Sequence, residues 1–259
     1  MLHICLDDSP RFRWIELREV DSTNNFLRTY RPPCPTALTV VTAERQTAGR
    51  GQAGNTWEST TGDNLLCSFL FAPPASVSPS ESFVVNQAVA LAVRDACAEF
   101  VGDVEVKWPN DIYVGDRKLA GILIETTMTA SSVERVIAGI GINVNQTAWA
   151  FADSPLPHPT PTSLRMIGGG EVLVRNVLEQ MVGHLQRRIG ELERGEAEGI
   201  RKDYMKHLYR RAGTHRFADS QGEFEARIHG IEMSGQLVLE RDDHRLARYA
   251  FKEVEFLKE

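Results

Sequence analysis

Lys107-Trp108-Pro109-Asn110-Asp111-Ile112-Tyr113-Val114-Gly115-Asp116-Arg117-Lys118-Leu119-Ala120-Gly121-Ile122-Leu123-Ile124-Glu125 sets Lys118 into an otherwise apolar strand pattern. Val104–Lys107 and Ile112–Val114 read as short strands on either side of a Trp108-Pro109-Asn110 turn. The residue before a proline is pushed towards extended backbone, and Asn-Asp favours a turn. Leu119–Thr127 then reads as a longer, buried strand. One lysine, Lys118, stands at the mouth of that apolar run, two residues before the small pair Ala120-Gly121. A fixed cation is thereby placed beside closely approachable backbone. Such an arrangement suits a site that must neutralise a carboxylate and a phosphate at one point. The plainer alternative is a solvated lysine at a strand start, the role its neighbour Arg117 fits.

Val133–Val144 reads as a partner strand. Within it, Ala138-Gly139-Ile140-Gly141-Ile142-Asn143-Val144-Asn145 carries glycines that mark close approach of a ligand or another backbone. Period two puts Asn143 and Asn145 on one face, where an amide can pair with a purine edge; a bulge at a strand edge is the alternative. Upstream, Arg13–Val20 and Ala37–Ala43 read as strands. Asp21 or Ser22 caps a short helix that ends near Tyr30. Asn64–Phe71 is a further strand, and Glu81–Phe100 has helical spacing behind a Ser80 cap. The prolines 155, 157, 159 and 161 mark a mobile loop. Helical patterns return at Val172–Arg194 and about Glu196–Tyr209. After Ala212-Gly213 the pattern changes to short strands and tight turns, a β module of marginal size for folding alone. The boundary is placed near Arg211, giving segments 1–211 and 212–259.

With 259 residues, 42% apolar and 25% charged, the chain can bury a substantial core. Its net charge of −6 offers no global footprint for nucleic acid. A local basic candidate is Arg201, Lys202, Lys206, His207, Arg210 and Arg211. Cys5, Cys34, Cys67 and Cys97 make no zinc spacing. No signal-peptide pattern or membrane-length apolar run is seen, so a cytoplasmic, membrane-independent protein is expected. No HExxH, EF-hand or GxSxG motif occurs, and the six histidines from His158 to His244 are scattered, as surface residues would be. Chemistry must rest on positioning and charge stabilisation rather than on a side-chain nucleophile.

Two polar segments qualify as ligand sites. Gly49-Arg50-Gly51-Gln52-Ala53-Gly54 matches GxGxxG literally. It runs into Asn55-Thr56-Trp57 instead of a helix, and it lacks the acidic residue a dinucleotide fingerprint needs. The loop from Glu44 to Asp63 instead supplies approachable N–H groups, and Arg50 supplies a planar fork for phosphate or carboxylate. A flexible surface loop is the alternative. Ser22-Thr23-Asn24-Asn25 opens a helix after a strand and can read a small polar ligand; plain capping explains part of it.

DSTNNFL, ERQTAGRGQAGNTW, KWPNDIYVGDRKLAGILIE and AGIGINVNQ together resemble, in order and spacing, the biotin protein ligases, over about Glu19 to Asn145. The resemblance implies an α+β fold: a mixed sheet with flanking helices like class II aminoacyl-tRNA synthetases, followed by a small SH3-like barrel. It implies a carbon–nitrogen bond-forming ligase that uses biotin and MgATP to make biotinyl-5′-AMP. That acyl group then passes to a lysine of a biotin carboxyl carrier domain. Lys118 and Arg50 would be catalytic. Ser22, Thr23, Asn24, Gln46, Arg50, Gly51, Gln52, Lys118 and Gly121 would bind biotin. Gly49, Arg50, Trp57, Trp108, Asn110 and Asn143 would bind the nucleotide. Asp111 would orient the incoming amine, and the magnesium ligands are left open. Family loops commonly carry a GRGRRGR-like run; here Gln52, Ala53 and Asn55 replace the later basic positions, which implies looser retention of the adenylate. About 20 residues precede the Ser22 motif, too few for the helix-turn-helix of repressor-type members, so a monofunctional ligase without DNA binding is expected. A homodimer is among the assemblies left open. A lipoate- or octanoate-type acyl ligase and a non-catalytic biotin sensor are the competing readings.

Overall fold

The structure, a computed structural model, describes residues 12–34, 37–150 and 159–258. Seven strands form one mixed sheet: β1 (Phe12–Val20), β2 (Leu38–Gln46), β3 (Leu65–Phe71), β4 (Val104–Lys107), β5 (Asp111–Val114), β6 (Arg117–Met128) and β7 (Val133–Ile142). Their order is β1-β2-β3-β7-β6-β5-β4. Only β1 and β2 pair in parallel; each later neighbour is antiparallel. The parallel pair needs a crossover, which α1 (Thr23–Thr29) supplies.

Period-two alternation sorts the central strands onto two faces. On the back face, Val40, Phe69, Phe71, Val136, Ala138, Ile140 and Ile122 meet the helices. On the front, Val41, Ala43, Leu70 and Ile137 pack with Leu27 of α1. Arg135 of β7 donates to the carbonyls of Leu27, Arg28 and Tyr30 and so closes the C-terminal end of α1, where a cation is favoured.

The back is covered by α2 (Phe83–Ala98), α4 (Val174–Glu193) and α5 (Ala197–Lys206). Helix α2 is buried nearly all round because α4 and α5 lie over it. Helix α4 turns a single stripe inward: Val177, Leu178, Met181, Leu185, Arg188 and Leu192, at the three-and-four spacing of one helical face. Each aliphatic member of that stripe contributes about 1.5–3 kcal/mol by leaving water. A short helix, α3 (Leu164–Gly168), follows the segment beside Lys118 and ends on left-handed Gly169.

The chain ends in a separate antiparallel sheet of five strands, ordered β11-β10-β9-β8-β12, from β8 (His215–Asp219) to β12 (Glu255–Phe256). Between them run β9 (Gly222–Ile231), β10 (Leu237–Arg241) and β11 (Leu246–Tyr249). This sheet docks on the Trp108 turn. The Trp108 indole N–H donates to Gly235 O at 2.9 Å, and Phe251 meets the Trp108 ring edge-on.

Several expectations are corrected. Helix α2 starts after Ser82, not Ser80, which belongs to a preceding 3-10 turn at Pro79–Glu81. The glycines of β7 lie in a central strand whose register with β3 is continuous, so the edge-bulge alternative falls. Strand β7 ends at Ile142, so Asn143 and Asn145 are not strand residues sharing a face. Asn145 clips the chain instead, exchanging hydrogen bonds of 2.8 and 2.9 Å with the Val172 backbone. The expected mobile proline loop is partly pinned: Lys118 N donates to Thr160 O at 2.8 Å and Thr162 N to Lys118 O at 3.0 Å. Pro155, Pro157 and His158 lie outside the described residues. The basic candidate near α5 is laced with carboxylates, Arg201 meeting Glu81 and Glu198, Lys202 meeting Glu198, and His207 meeting Asp203.

Candidate active site

On the front of the sheet, register lines up Leu66, Gly141, Gly121 and Asp111 in one row. The next row brings Val41, Ser68, Gly139 and Leu123 together. Glycine in these rows leaves a trough, and its contents are other parts of the chain. A Cβ on Gly139 would stand 2.2 Å from Asn24 Oδ1, and one on Gly141 would stand 2.3 Å from the Trp57 ring. The backbone here is approached as closely as only glycine permits.

The trough has a polar end. Gln46 Oε1 accepts from Thr23 N at 2.8 Å and from Thr23 Oγ1 at 3.1 Å. Ser68 Oγ lies 2.7 Å from Thr23 Oγ1 and 2.6 Å from Asn24 Oδ1. Asn24 Nδ2 donates to Glu125 Oε2 at 3.1 Å and, more weakly, to Leu123 O. Ser22, Thr23 and Asn24 are all at most 3% exposed. Ser22 occupies the N-cap position of α1, yet its hydroxyl makes no cap hydrogen bond; Asp21 takes the Asn25 amide instead. Capping therefore does not explain this run. The carboxyl of Asp21 is held below its ordinary range by the Asn25 hydrogen bond first.

The other end is charged. Lys118 Nζ sits 2.7 Å from Asp111 Oδ2, with both side chains partly exposed. The same Nζ lies 5.9 Å from the centre of the Trp57 ring. Lys107, which pairs with Asp111 across the Trp108 turn, is packed between the rings of Tyr113 and Phe256. Burial pulls its ammonium below the usual lysine range, with Asp111 opposing that shift.

The glycine-rich segment is not an open loop. Gly51 N donates to Asn55 O at 2.7 Å and Trp57 N to Gly49 O at 3.0 Å, closing a small hairpin around a 3-10 turn at Gln52–Gly54. The hairpin lays Trp57 across the Gly121–Gly141 pair. Gly49 is needed there, since its Cβ would stand 2.5 Å from Trp57 O. Arg50 Nη1 donates to Asn25 Oδ1 and to Glu125 Oε1, each at 3.1 Å. Glu125 also receives Arg28 through both its Nε and its Nη2. Burial alone would raise the Glu125 carboxyl; the Arg28 hydrogen bond, the Arg50 charge and the Asn24 hydrogen bond together hold it below its ordinary range.

Trp108 and Asn110, expected at the nucleotide end, have partners within the protein: Trp108 on Gly235, and Asn110 Nδ2 on Ile122 O at 2.6 Å. Asn143 is 3% exposed and donates from Nδ2 to Thr162 O at 2.9 Å. Its Oδ1 is buried and has no hydrogen-bond donor, as is the case for Trp57 Nε1 as a donor without an acceptor. Buried polar atoms without partners call for an explanation, and Trp14 Nε1, Thr39 Oγ1, Thr162 Oγ1 and Arg188 Nε share this condition.

Residues 17–143 match the model of the biotin/lipoate A/B protein ligase family. This stretch belongs to that family. The family segment contains every element of the trough up to Asn143. Curated relatives include the bifunctional ligase/repressor BirA of Escherichia coli, 33% identical over 123 residues, covering 47% of this chain and 37% of that protein. The biotin--[acetyl-CoA-carboxylase] ligase of Paracoccus denitrificans is 33% identical over 127 residues, covering 48% of this chain and 52% of that protein. The match thus spans about half of these relatives or less. A biotin protein ligase of Aquifex aeolicus solved with biotin and ATP superposes with a TM-score of 0.73 at 23% identity, covering 96% of this chain and 99% of that one. A Leishmania major biotin protein ligase solved with biotinyl-5-AMP gives 0.63 at 24% identity, covering 93% and 99%. The mixed sheet plus C-terminal antiparallel sheet is therefore the fold of those proteins.

Reading the sequence missed Ser68 and Glu125. Each left a signal: a lone hydroxyl inside the apolar run Leu-Leu-Cys-Ser-Phe-Leu-Phe, and the carboxylate closing Leu-Ala-Gly-Ile-Leu-Ile-Glu. Among the described residues no group of three His, Cys, Asp or Glu side chains is placed to hold a metal ion.

Proposed function

We propose that this chain is an ATP-dependent biotin protein ligase: it activates biotin as biotinyl-5′-AMP and transfers the acyl group to a lysine of a biotin carboxyl carrier domain. The observation that carries the reading is one continuous line of polar and charged groups on the front of the sheet. It runs from the buried Ser68–Thr23–Asn24–Gln46 wall, across the glycine floor under Trp57, to the Lys118–Asp111 pair. A cyclic urea presents N–H donors and a carbonyl acceptor, and Ser22, Thr23, Asn24 and Gln46 supply the matching groups. The acid tail would then run past Trp57 towards Lys118, with Gly121 keeping the floor low beneath them.

A carboxylate must attack the α-phosphorus although both partners are anionic. Lys118 would neutralise both at the point where they meet, and Arg50 with the hairpin that carries Gly49, Gly51 and Gln52 would close over the product. Pyrophosphate leaves and the mixed anhydride remains. Trp57 and the hairpin would shield it from water. The orphaned Asn143 Oδ1 suits the exocyclic amine of adenine, with Trp108 and Asn110 shaping that end. The substrate amine then attacks the acyl carbon and AMP departs, so no nucleophile is needed from the enzyme; Asp111 would orient that amine. Magnesium belongs to the nucleotide substrate, as fits a cation that prefers phosphates and water to an all-protein cage.

The reading includes a catalytic segment 1–211 and a β segment 212–259, no role on DNA or membrane, and a cytoplasmic setting. No helix among the described residues is long and apolar enough to cross a membrane. The lipoate or octanoate alternative would leave the buried polar wall unmatched by an alkyl chain, and a sensor without catalysis would have no use for the Lys118–Asp111 pair. The deciding experiment is biotin-dependent exchange of labelled pyrophosphate into ATP, followed by transfer of labelled biotin to a carrier domain with lipoate as competitor. Exchange that follows lipoate and ignores biotin would move the assignment to the alternative.

A further inference from the structure

We propose that Glu125 is a positioning residue: it holds the Arg50 guanidinium while no adenylate is bound, and the adenylate phosphate takes that guanidinium over. The inference deepens the reading above and rests on it for the identity of the incoming anion.

One carboxylate serves two guanidiniums and one amide. Oε1 accepts Arg50 Nη1 at 3.1 Å and Arg28 Nη2; Oε2 accepts Asn24 Nδ2 at 3.1 Å and Arg28 Nε at 3.3 Å. Arg28 grips both oxygens and sits on α1, whose C-terminal end is closed by Arg135. If Arg50 leaves, Glu125 therefore stays neutralised. Arg50 is the exchangeable partner. It rides on the hairpin, it shares one Glu125 oxygen, and its other hydrogen bond is to the neutral Asn25 amide.

Exposure points the same way. The Arg50 and Glu125 side chains are 34% and 22% exposed, so their pairing is screened and weak. A phosphate can take the guanidinium through two parallel charge-assisted hydrogen bonds where Glu125 gives it one shared oxygen, and so can displace such a partner. Because the same carboxylate fixes the Asn24 amide, the head-group wall and the hairpin share one anchor.

The test is hydrogen exchange at the hairpin amides of Gly51, Asn55 and Trp57, measured on the full chain alone and with biotin plus MgATP. Glu125→Gln keeps the shape and removes the charge. In the ligand-free protein it should speed exchange at these amides by roughly two- to fivefold. Adding biotin and MgATP should return the variant to the parent's protection. Arg50→Ala, which approaches the pair from its other side, should show the same ligand-free acceleration and no rescue by ligands. Unchanged ligand-free exchange in both variants overturns the proposal, and this arm needs no reaction to occur. Acceleration in Glu125→Gln that ligands fail to reverse, in a variant that still makes adenylate, overturns the hand-over. Absence of biotin-dependent pyrophosphate exchange in the parent sinks the functional reading instead and leaves the ligand-free pairing standing.

Discussion

Two carboxylate-centred charge clusters occupy opposite faces of the main sheet, and they differ in what surrounds them. Behind the sheet, Asp95 of α2 accepts Arg188 at 2.7 Å, Arg187 at 2.6 Å and Arg94 at 3.0 Å, while Arg188 reaches on to Glu191 and Asp203. The Asp95 and Arg188 side chains are 9% and 7% exposed. In front, Glu125 gathers Arg28, Arg50 and Asn24 at the edge of a trough. Composition barely separates the two. Burial of the central pair does: Asp95 and Arg188 are enclosed where α2, α4 and α5 meet, with Arg187 half exposed at the rim, whereas both members of the Arg50–Glu125 pair are open to solvent.

The largest expected effect tests the sealed cluster. Asp95→Ala should destabilise the fold by about 3–5 kcal/mol, because Arg188 would be left buried with fewer compensating acids. Urea unfolding measures this, and the protein that remains folded should keep its kinetic constants. A loss within the range of surface substitutions would show that the joint is not structural. Lys118→Ala should do the reverse: adenylate formation falls by a factor on the order of 10²–10³ while thermal stability barely moves. Parent-like formation of biotinyl-AMP would remove Lys118 from its assigned role.

Acid sharpens the contrast. The Asp95 carboxyl would be raised by its burial, but hydrogen bonds from Arg188 and Arg94 and the nearby charges bring it below the ordinary range. A folded-state pKa below the unfolded one gives stability that is present at neutral pH and lost as pH falls through the carboxylate range. Glu125 has the same sign. Thermal unfolding followed from neutral to acid pH should therefore be flatter in Asp95→Asn than in the parent, and flattened less in Glu125→Gln. An equal slope in all three would place the acid sensitivity elsewhere. The smallest effect is expected at Glu19 and Arg45, paired at 2.6 Å with both side chains 54% exposed. Glu19→Gln should cost under about 1 kcal/mol and leave turnover alone.

Much of this architecture was legible in the sequence for local reasons. Branched runs such as Leu38–Val41 mark strands, and the prolines after Arg31 and Phe71 end a helix and a strand, without reference to distant residues. The Lys118 motif was legible because a lone cation in an apolar strand conflicts with its surroundings. What escaped depends on register. The Ser68 hydroxyl stands out in its apolar run, but its partners are known only once pairing sets it beside Gly139 and Asn24. The hairpin at Gly49–Trp57 read as open loop because its stability comes from lying on Gly121 and Gly141, which are remote in sequence. Arg188 escaped for the opposite reason: it fits the apolar spacing of α4, and only its neutralisation by three acids explains how a cation can stand there.

The bond from the Trp108 indole to Gly235 has a consequence for anyone building chimaeras of this protein. Position 235 has φ 92°, and a Cβ there would stand 2.5 Å from the Phe83 ring. Phe83, Trp108 and Gly235 thus form a three-part lock with members on a helix, a turn and the terminal sheet. A terminal sheet transplanted from a relative that bears any side chain at this point would have to be moved together with matching residues at the other two, or the graft would sit askew on the turn that carries Asp111.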